Sequence, residues 1–134
     1  MRGTTETFGV NLFVPEPGAD LAAAPAYRQR LLPLAERFGV ELTEPQDDDD
    51  WPAKVAALLD DPVPVVSFTF GCPPPEVLRR LAQVGTLTAV GVADVAGARE
   101  AIEAGAGALV VQGPDAGGHR ATLRCADEPS VGLR

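Results

Sequence analysis

The sequence predicts an α/β fold in which parallel strands alternate with helices. Short apolar runs begin at Val63, Thr86 and Ala108, and a segment with helical periodicity separates each neighbouring pair. These runs are almost continuously apolar, which is typical of parallel strands that are covered on both faces. A further strand candidate lies near the N-terminus, so the pattern indicates about four parallel strands with intervening helices.

The first strand is predicted over residues 8–14, where apolar side chains alternate with others. Its two faces carry Phe8, Val10, Leu12 and Val14 on one side, and Gly9, Asn11 and Phe13 on the other. A helix is predicted over residues 22–38, with Gly39 as its C-cap. Apolar side chains recur along it at helical spacing, namely Tyr27, Leu31, Leu34 and Phe38.

A run of aspartates, residues 47–50, precedes the second predicted helix. It lacks the spaced glycine and the distal glutamate of a calcium-binding loop. We therefore expect a solvated loop, with Asp50 as the N-cap of the helix and Pro52 in its first turn. The expected buried stripe of this helix consists of Trp51, Val55, Leu58 and Leu59.

The rest of the chain alternates regularly. Strands are predicted over residues 63–70, 86–92 and 108–111, and helices over residues 75–83 and 95–104. Asp94 is the expected N-cap of the last helix and Gly105 its end. The predicted inward side chains are Val77, Leu78 and Leu81 in the first of these helices, and Val95, Ala98, Ala101 and Ile102 in the second.

Such strands suit two architectures. One is a small doubly wound sheet, and the other is an arc of a (β/α)8 barrel, which closes with roughly 250 residues. The pattern alone does not choose between them. Both architectures place functional residues at the carboxyl ends of the strands.

Composition narrows the class of partner. The chain has 134 residues and is expected to form a single domain over residues 1–134, with an irregular tail over 121–134. Its net charge of −8 argues against nucleic acid and anionic membranes, which attract basic surfaces. No apolar run approaches the roughly 18 residues of a membrane span, and the N-terminus lacks a signal-peptide pattern, so a cytoplasmic location is expected. Cys72 and Cys125 are too few for a disulfide framework or a zinc site.

Polar residues stand near the carboxyl ends of the predicted strands. Asn11 lies in the first strand, Ser67 and Thr69 lie toward the end of the second, and Gln112 follows the last. This pattern suits a planar polar ligand that is held by amides and hydroxyls. It does not suit a metal, because one histidine without clustered carboxylates is a poor metal site. Cys72 has no identifiable base, and we expect it to be a small apolar filler.

A glycine-rich loop with the single histidine of the chain follows Gln112. Gly117 and Gly118 can adopt positive φ, which lets backbone N–H groups approach a ligand. A plain flexible turn is the better explanation of an isolated Gly-Gly pair, but Gln112 and His119 beside this pair favour a functional loop. His119 can move a proton in either direction near neutral pH. Its position alone leaves two readings open, a surface group or a catalytic one.

Three segments, FGVNLFVP, VVSFTFGCP and VVQGPDAGGHR, resemble the nitronate monooxygenase family, whose members are FMN-dependent (β/α)8 barrel enzymes. The resemblance runs from Phe8 to about Thr122. The QGxxAGGH pattern is shared with a related branch of FMN-dependent enoyl-acyl-carrier-protein reductases. The resemblance therefore implies a partial (β/α)8 TIM barrel and FMN as the cofactor.

The resemblance also implies roles for matching positions. Asn11, Gln112 and Gly117 match residues that contact FMN, and we expect the backbone of Gly118 to contribute to the same loop. His119 matches a general base that removes the proton α to the nitro group of a neutral nitroalkane. An alkyl nitronate arrives already deprotonated. The implied reaction uses O2 and yields a carbonyl compound and nitrite.

The chain also departs from the family pattern. Family members are much longer, and Ala121 stands where they usually have glycine. The resemblance implies a central slice of the barrel without the loops that grip the FMN phosphate. We expect little activity unless exposed sheet edges pair with another copy or a complementary chain. The enoyl reductase branch and a non-catalytic family remnant are the alternatives.

Overall fold

A computed structural model describes residues 7–15, 22, 24–44 and 49–119 of the chain. Its strands are β1 (Gly9–Phe13), β2 (Val65–Thr69), β3 (Leu87–Val92) and β4 (Ala108–Val111), and its longer helices are α1 (Ala24–Phe38), α2 (Trp51–Asp60), α3 (Pro75–Gln83) and α4 (Val95–Glu103). Each predicted strand and helix is therefore confirmed. The predicted tail lies outside the described residues.

The chain divides into two compact units. One unit, Glu16–Asp49, contains α1, and the other, Met1–Pro15 with Asp50–Arg134, contains the sheet and the remaining helices. The single-domain expectation stays a prediction. In the first unit, α1 contains Pro33 and ends in an exposed Phe38, and Arg28 pairs with Glu44 at 3.2 Å.

The order of the strands distinguishes the two architectures that the pattern left open. All three strand pairs are parallel, and the order β1-β2-β3-β4 follows the chain without reversal. A doubly wound sheet reverses direction at a switch point, and this sheet does not. Right-handed crossovers between consecutive parallel strands place helices on one face, and residues of α2, α3 and α4 share one core with the strands. The fold is therefore α/β and is an arc of a (β/α)8 barrel.

The hydrophobic core lies on the helix-covered face of the sheet. Register places Leu12, Phe68, Val90 and Leu109 side by side across the strands. Phe68 is fully buried, and burial of such a side chain stabilises the fold by about 1.5–3 kcal/mol. The core is completed by the predicted inward residues of α2 and α3, which include Val55, Leu58, Leu78 and Leu81 with Trp51, Leu59 and Val77 packed against them.

The opposite side of the sheet, here called the inner face, carries smaller and more polar side chains. Asn11, Ser67, Ala89 and Ala108 form one row across it in the strand register. Its remaining residues are Gly9, Phe13, Val65, Thr69, Leu87, Gly91 and Val110. The side chains of the row through Asn11 are therefore polar or small.

The inward-facing residues of helix α4 are not all the predicted ones. Val95 and Ile102 are each 61% exposed, so their predicted inward positions are wrong. The sheet-facing side chains are small, with Gly97 and Ala101 buried and Ala98 partly buried. Val95 and Ile102 lie on the flank of this stripe at about 100° per residue. Small residues let α4 approach the sheet closely, so the larger ones remain on its side.

Of the two predicted N-caps, Asp94 forms its capping hydrogen bond and Asp50 does not. The backbone N–H of Gly97 donates to Asp94 Oδ1 at 2.7 Å, which confirms Asp94 as the cap of α4. Asp50 occupies the N-cap position of α2, and the predicted proline is in the first turn. However, Asp50 has a left-handed backbone with φ 53° and forms no side-chain capping hydrogen bond. A capping side chain needs extended backbone at this position, which explains the difference.

Within the described ranges, no helix combines the length and the apolar character that crossing a membrane would require. The cytoplasmic location stays a prediction.

Candidate functional site

The neighbouring strands β1 and β2 bring three polar side chains together on the inner face. The hydroxyl of Ser67 donates to Asn11 Oδ1 at 2.8 Å, and the hydroxyl of Thr69 donates to the same oxygen at 3.0 Å. A carbonyl oxygen has two lone pairs, so these two donors use its accepting capacity. The NH2 group of Asn11 takes part in neither of these two bonds.

Gln112 connects the end of β4 to the glycine loop. Its backbone N–H donates to Val92 O at 2.9 Å, which continues the sheet by one residue. Its side-chain Nε2 donates to Gly117 O at 3.1 Å. Between the two residues, Pro114–Ala116 form a short 3-10 helix. The side chain of Gln112 therefore holds the loop against the strand from which it starts.

Gly117 and Gly118 require glycine for conformational reasons. Their φ values are 71° and 69°, a region that side chains with Cβ rarely adopt. Among the residues that the structure describes, no heavy atom would lie within 4 Å of a Cβ built at either position. The backbone conformation, rather than a close neighbour, is therefore what favours glycine here. Contact with a ligand stays a prediction for both residues.

His119 is exposed and lies next to the end of β2. Its ring and that of Phe70 have centroids 5.8 Å apart with an interplanar angle of 69°. The ring of Phe70 also lies 4.9 Å from that of Phe13, which belongs to the inner face. The three rings form a continuous contact from the end of β1, past the end of β2, to the glycine loop.

Phe70 lies beside His119, a position that the strand pattern does not predict, because that pattern continues a regular strand to residue 70. Its φ of 68° is left-handed, which for a residue other than glycine costs on the order of 1–3 kcal/mol. The available signal was the glycine that follows directly. Gly71 is buried, and an added Cβ would lie 2.8 Å from the Val14 side chain.

The structure places the predicted residues in three local groups. Asn11 joins Ser67 and Thr69, Gln112 holds the glycine loop, and His119 lies against an aromatic side chain. Thr69, Gln112 and His119 stand at or beyond the carboxyl ends of parallel strands, where barrel enzymes carry their chemistry. Asn11 and Ser67 lie in the middle of β1 and β2.

Cys72 lies outside this arrangement. It is partly buried, and its Sγ is 3.7 Å from the carbonyl oxygen of Pro73. Burial raises the pKa of the Cys72 thiol, and the negative charge of Glu100 raises it further. It lines a cavity of about 370 Å³ with Pro73, Pro74, Pro75, Glu100, Glu103 and Ala104. A raised pKa keeps the thiol neutral, which agrees with the expected apolar filler.

In the part of the chain that the structure describes, no three or more His, Cys, Asp or Glu side chains are grouped so that they could hold a metal ion. Asp47 and Asp48 of the aspartate run lie outside that part.

Comparison with known proteins identifies the family. The family model for nitronate monooxygenase matches residues 2–133. The nitronate monooxygenase of Pseudomonas aeruginosa is 38% identical over 131 residues, which cover 90% of this chain and 36% of that protein. The enzyme of the same name from Paraburkholderia phytofirmans is 32% identical over 125 residues, which cover 87% of this chain and 34% of that protein.

Two solved structures agree with the sequence relatives. Nitroalkane oxidase from Streptomyces ansochromogenes superposes with a TM-score of 0.79 at 43% identity, covering 97% of this chain and 38% of that one. FabK from Thermotoga maritima superposes with a TM-score of 0.56 at 27% identity, covering 87% of this chain and 28% of that one. The chain thus spans 28–38% of the length of these relatives. It belongs to the nitronate monooxygenase family.

Proposed function

We propose that this chain carries the flavin-facing and proton-accepting part of an FMN-dependent nitronate monooxygenase. The substrates are alkyl nitronates and neutral nitroalkanes, which react with O2 to give a carbonyl compound and nitrite. One observation carries the proposal: Asn11 on β1, Gln112 after β4 and His119 beside Phe70 are each held by a specific contact. The names of the relatives support the substrate class.

The chemistry of the site suits the flat ring system of FMN. The N–H donors of Asn11 are not used by the two hydroxyls, which bond its carbonyl oxygen. Gln112 and the backbone at Gly117 and Gly118 supply further polar groups at the other end of the sheet. These groups are uncharged, and for that reason we assign them to the ring rather than to the phosphate. When bound, FMN would accept electrons from the substrate and pass them to O2.

His119 is proposed to accept the proton on the carbon α to the nitro group. Positioned general bases of this kind contribute about 10²–10⁴-fold to a rate. A nitronate has already lost that proton, so its oxidation does not need the base. We therefore expect His119→Ala to reduce neutral nitroalkane turnover by about 10²-fold or more while nitronate turnover falls much less. Equal losses on both substrates would argue against the assigned role.

Cofactor binding is tested by the visible absorption spectrum of the chain after incubation with FMN and removal of the excess. Flavin bands retained in near-stoichiometric amount support the proposal. A chain that stays colourless favours the alternative of a non-catalytic family member, and the nitronate assay would then be expected to show no turnover.

The enoyl reductase alternative has weaker support. Its structural relative matches with a lower TM-score and lower identity than the nitroalkane oxidase does. That reaction would require NAD(P)H, so oxidation of NAD(P)H that depends on an enoyl thioester distinguishes the two functions. We expect none, and we expect nitrite from a nitronate instead.

We further propose that the outer strands of the described sheet, β1 and β4, pair with strands of another copy or of a complementary chain. Unpaired strand edges favour such association. Light scattering coupled to gel filtration tests pairing with another copy. A purely monomeric chain that retains FMN would contradict such self-association.

A further inference from the structure

We propose that Phe70 is a positioning residue for His119, and that the left-handed turn at Phe70 exists to bring its ring against the imidazole. Neither the family comparison nor the sequence pattern assigns a role to Phe70. The inference rests on the proposed function only where it concerns proton transfer by His119. The contact itself can be tested without cofactor or substrate.

Side chains along β2 alternate between the two faces of the sheet. Phe68 is fully buried on the helix-covered face, and Thr69 lies on the inner face. Continued extended backbone would return residue 70 to the helix-covered face. Instead, φ of 68° at Phe70 interrupts the alternation, and its ring contacts Phe13 of the inner face at 4.9 Å. The turn therefore transfers an aromatic ring to the side of the sheet that carries the polar site.

Two contacts of Val14 hold the turn at Phe70. The backbone N–H of Val14 donates to Thr69 O at 2.9 Å, which ties the end of β1 to the residue before the turn. The Val14 side chain lies so close to Gly71 that a Cβ there would be 2.8 Å away. Strained backbone of this kind persists where the surrounding structure over-determines it. Glycine would adopt this φ without strain, so the presence of phenylalanine points to a use for its ring.

His119 stands at the end of the glycine loop, and the ring of Phe70 contacts its imidazole. Gly117 and Gly118 precede His119 with positive φ, and among the described residues no heavy atom would lie within 4 Å of a Cβ on either. The bond from Gln112 Nε2 to Gly117 O holds the loop backbone two residues before the imidazole. The Phe70 ring supplies a side-chain restraint, at 5.8 Å and 69°, which is the edge-to-face geometry that aromatic pairs prefer. A base held in this way spends more of its time where it can meet a substrate proton.

The test uses the fact that the chain contains one histidine, so its ring resonances are assigned without ambiguity. We expect cross-relaxation between the ring protons of His119 and Phe70 in the wild-type chain, and histidine shifts displaced by the ring current. Phe70→Leu should return these shifts to those of an unstructured histidine, whereas Phe70→Tyr should preserve them. Phe8→Leu, at the amino end of β1, is the matched control and should change nothing. The single tryptophan, Trp51, reports whether each variant is folded.

Wild-type histidine shifts that match an unstructured peptide, with no cross-relaxation to Phe70, would overturn the proposal. Unchanged shifts in folded Phe70→Leu would do the same. If Phe70→Leu does not fold, cross-relaxation in the wild type and in Phe70→Tyr decides the question.

A second measurement separates positioning from general packing. In the FMN-loaded chain, Phe70→Leu should lower the ratio of neutral nitroalkane to nitronate turnover by about tenfold or more, while Phe70→Tyr keeps it. Equal losses on both substrates would show a merely structural role for Phe70. If His119→Ala leaves this ratio unchanged, the proposed function fails, while the ring contact is judged independently by the resonance data.

Discussion

The hydroxyl of Ser67 on β2 donates to Asn11 Oδ1 on the neighbouring strand at 2.8 Å, across 56 positions of the chain. Together with the bond from Thr69 at 3.0 Å, this contact sets which end of the Asn11 amide faces the two hydroxyls. An amide oxygen and nitrogen differ in recognition, because the first accepts hydrogen bonds and the second donates them.

The first prediction follows from this orientation. Asn11→Asp retains an oxygen for both hydroxyls but removes the N–H donors and adds a negative charge. We expect the affinity for FMN to fall by about tenfold, the equivalent of roughly 1.4 kcal/mol, with little change in the thermal midpoint of unfolding. Flavin fluorescence titration measures the affinity. Ser67→Ala is the matched control, and it should reduce the affinity less because Thr69 still holds the amide. Wild-type affinity in Asn11→Asp would refute donation by Asn11.

The second prediction concerns the packing of Gly71 beneath Val14. Gly71→Ala places a Cβ 2.8 Å from side-chain atoms of Val14, so one segment must shift. We expect the free energy of unfolding to fall by about 1–3 kcal/mol, as in other overpacked sites. Urea denaturation measures this change. In a double-mutant cycle, Val14→Gly should recover part of the loss, and strictly additive effects would show that the contact is not the cause.

The third prediction concerns the glycine loop. Gly117→Ala forces a side chain into φ near 71°, which costs on the order of 1–2 kcal/mol. The free loop of the variant can relax from this conformation, and FMN binding must restore it, so we expect about a tenfold loss of FMN affinity. Gly113→Ala is the matched control, because Gly113 has an ordinary φ of −77°. A loss of similar size in both variants would show that the backbone conformation of Gly117 is not the cause.

The fourth prediction concerns the pH dependence of Cys72. Burial raises the pKa of its thiol and the charge of Glu100 adds to this effect, so the neutral thiol prevails through neutral pH. With Cys125 replaced by serine, alkylation should be slower than for a free thiol and should accelerate only above the usual thiol range. The raised pKa also implies stability that is present at lower pH and lost as pH rises through the folded-state pKa.

Glu100→Gln removes the smaller of the two causes. We expect faster alkylation of Cys72 at neutral pH in this variant, at a rate still below that of a free thiol. A pH profile of the alkylation rate, measured for the wild-type chain and for Glu100→Gln, gives the two rates to be compared. Slower alkylation in Glu100→Gln would contradict the assigned direction of the charge effect.

Local patterns were sufficient to predict most of the secondary structure. Helix α3 begins and ends at the predicted residues, and Asp94 caps α4 as expected, because spacing and capping depend on residues within one or two turns. The prediction failed for Val95 and Ile102. The width of the buried stripe depends on how closely a helix approaches the sheet, and the periodicity of one helix does not contain that distance.

From the sequence alone follow the alternation of strands and helices, the polar residues at strand ends, the glycines of the loop and the resemblance to a family. All of these are local properties of short segments. The order of the strands, the meeting of Ser67 with Asn11 and the turn that brings Phe70 against His119 were visible only in the folded chain. They depend on strand register and on contacts between residues that are far apart in sequence. The pattern of a short segment does not contain this information.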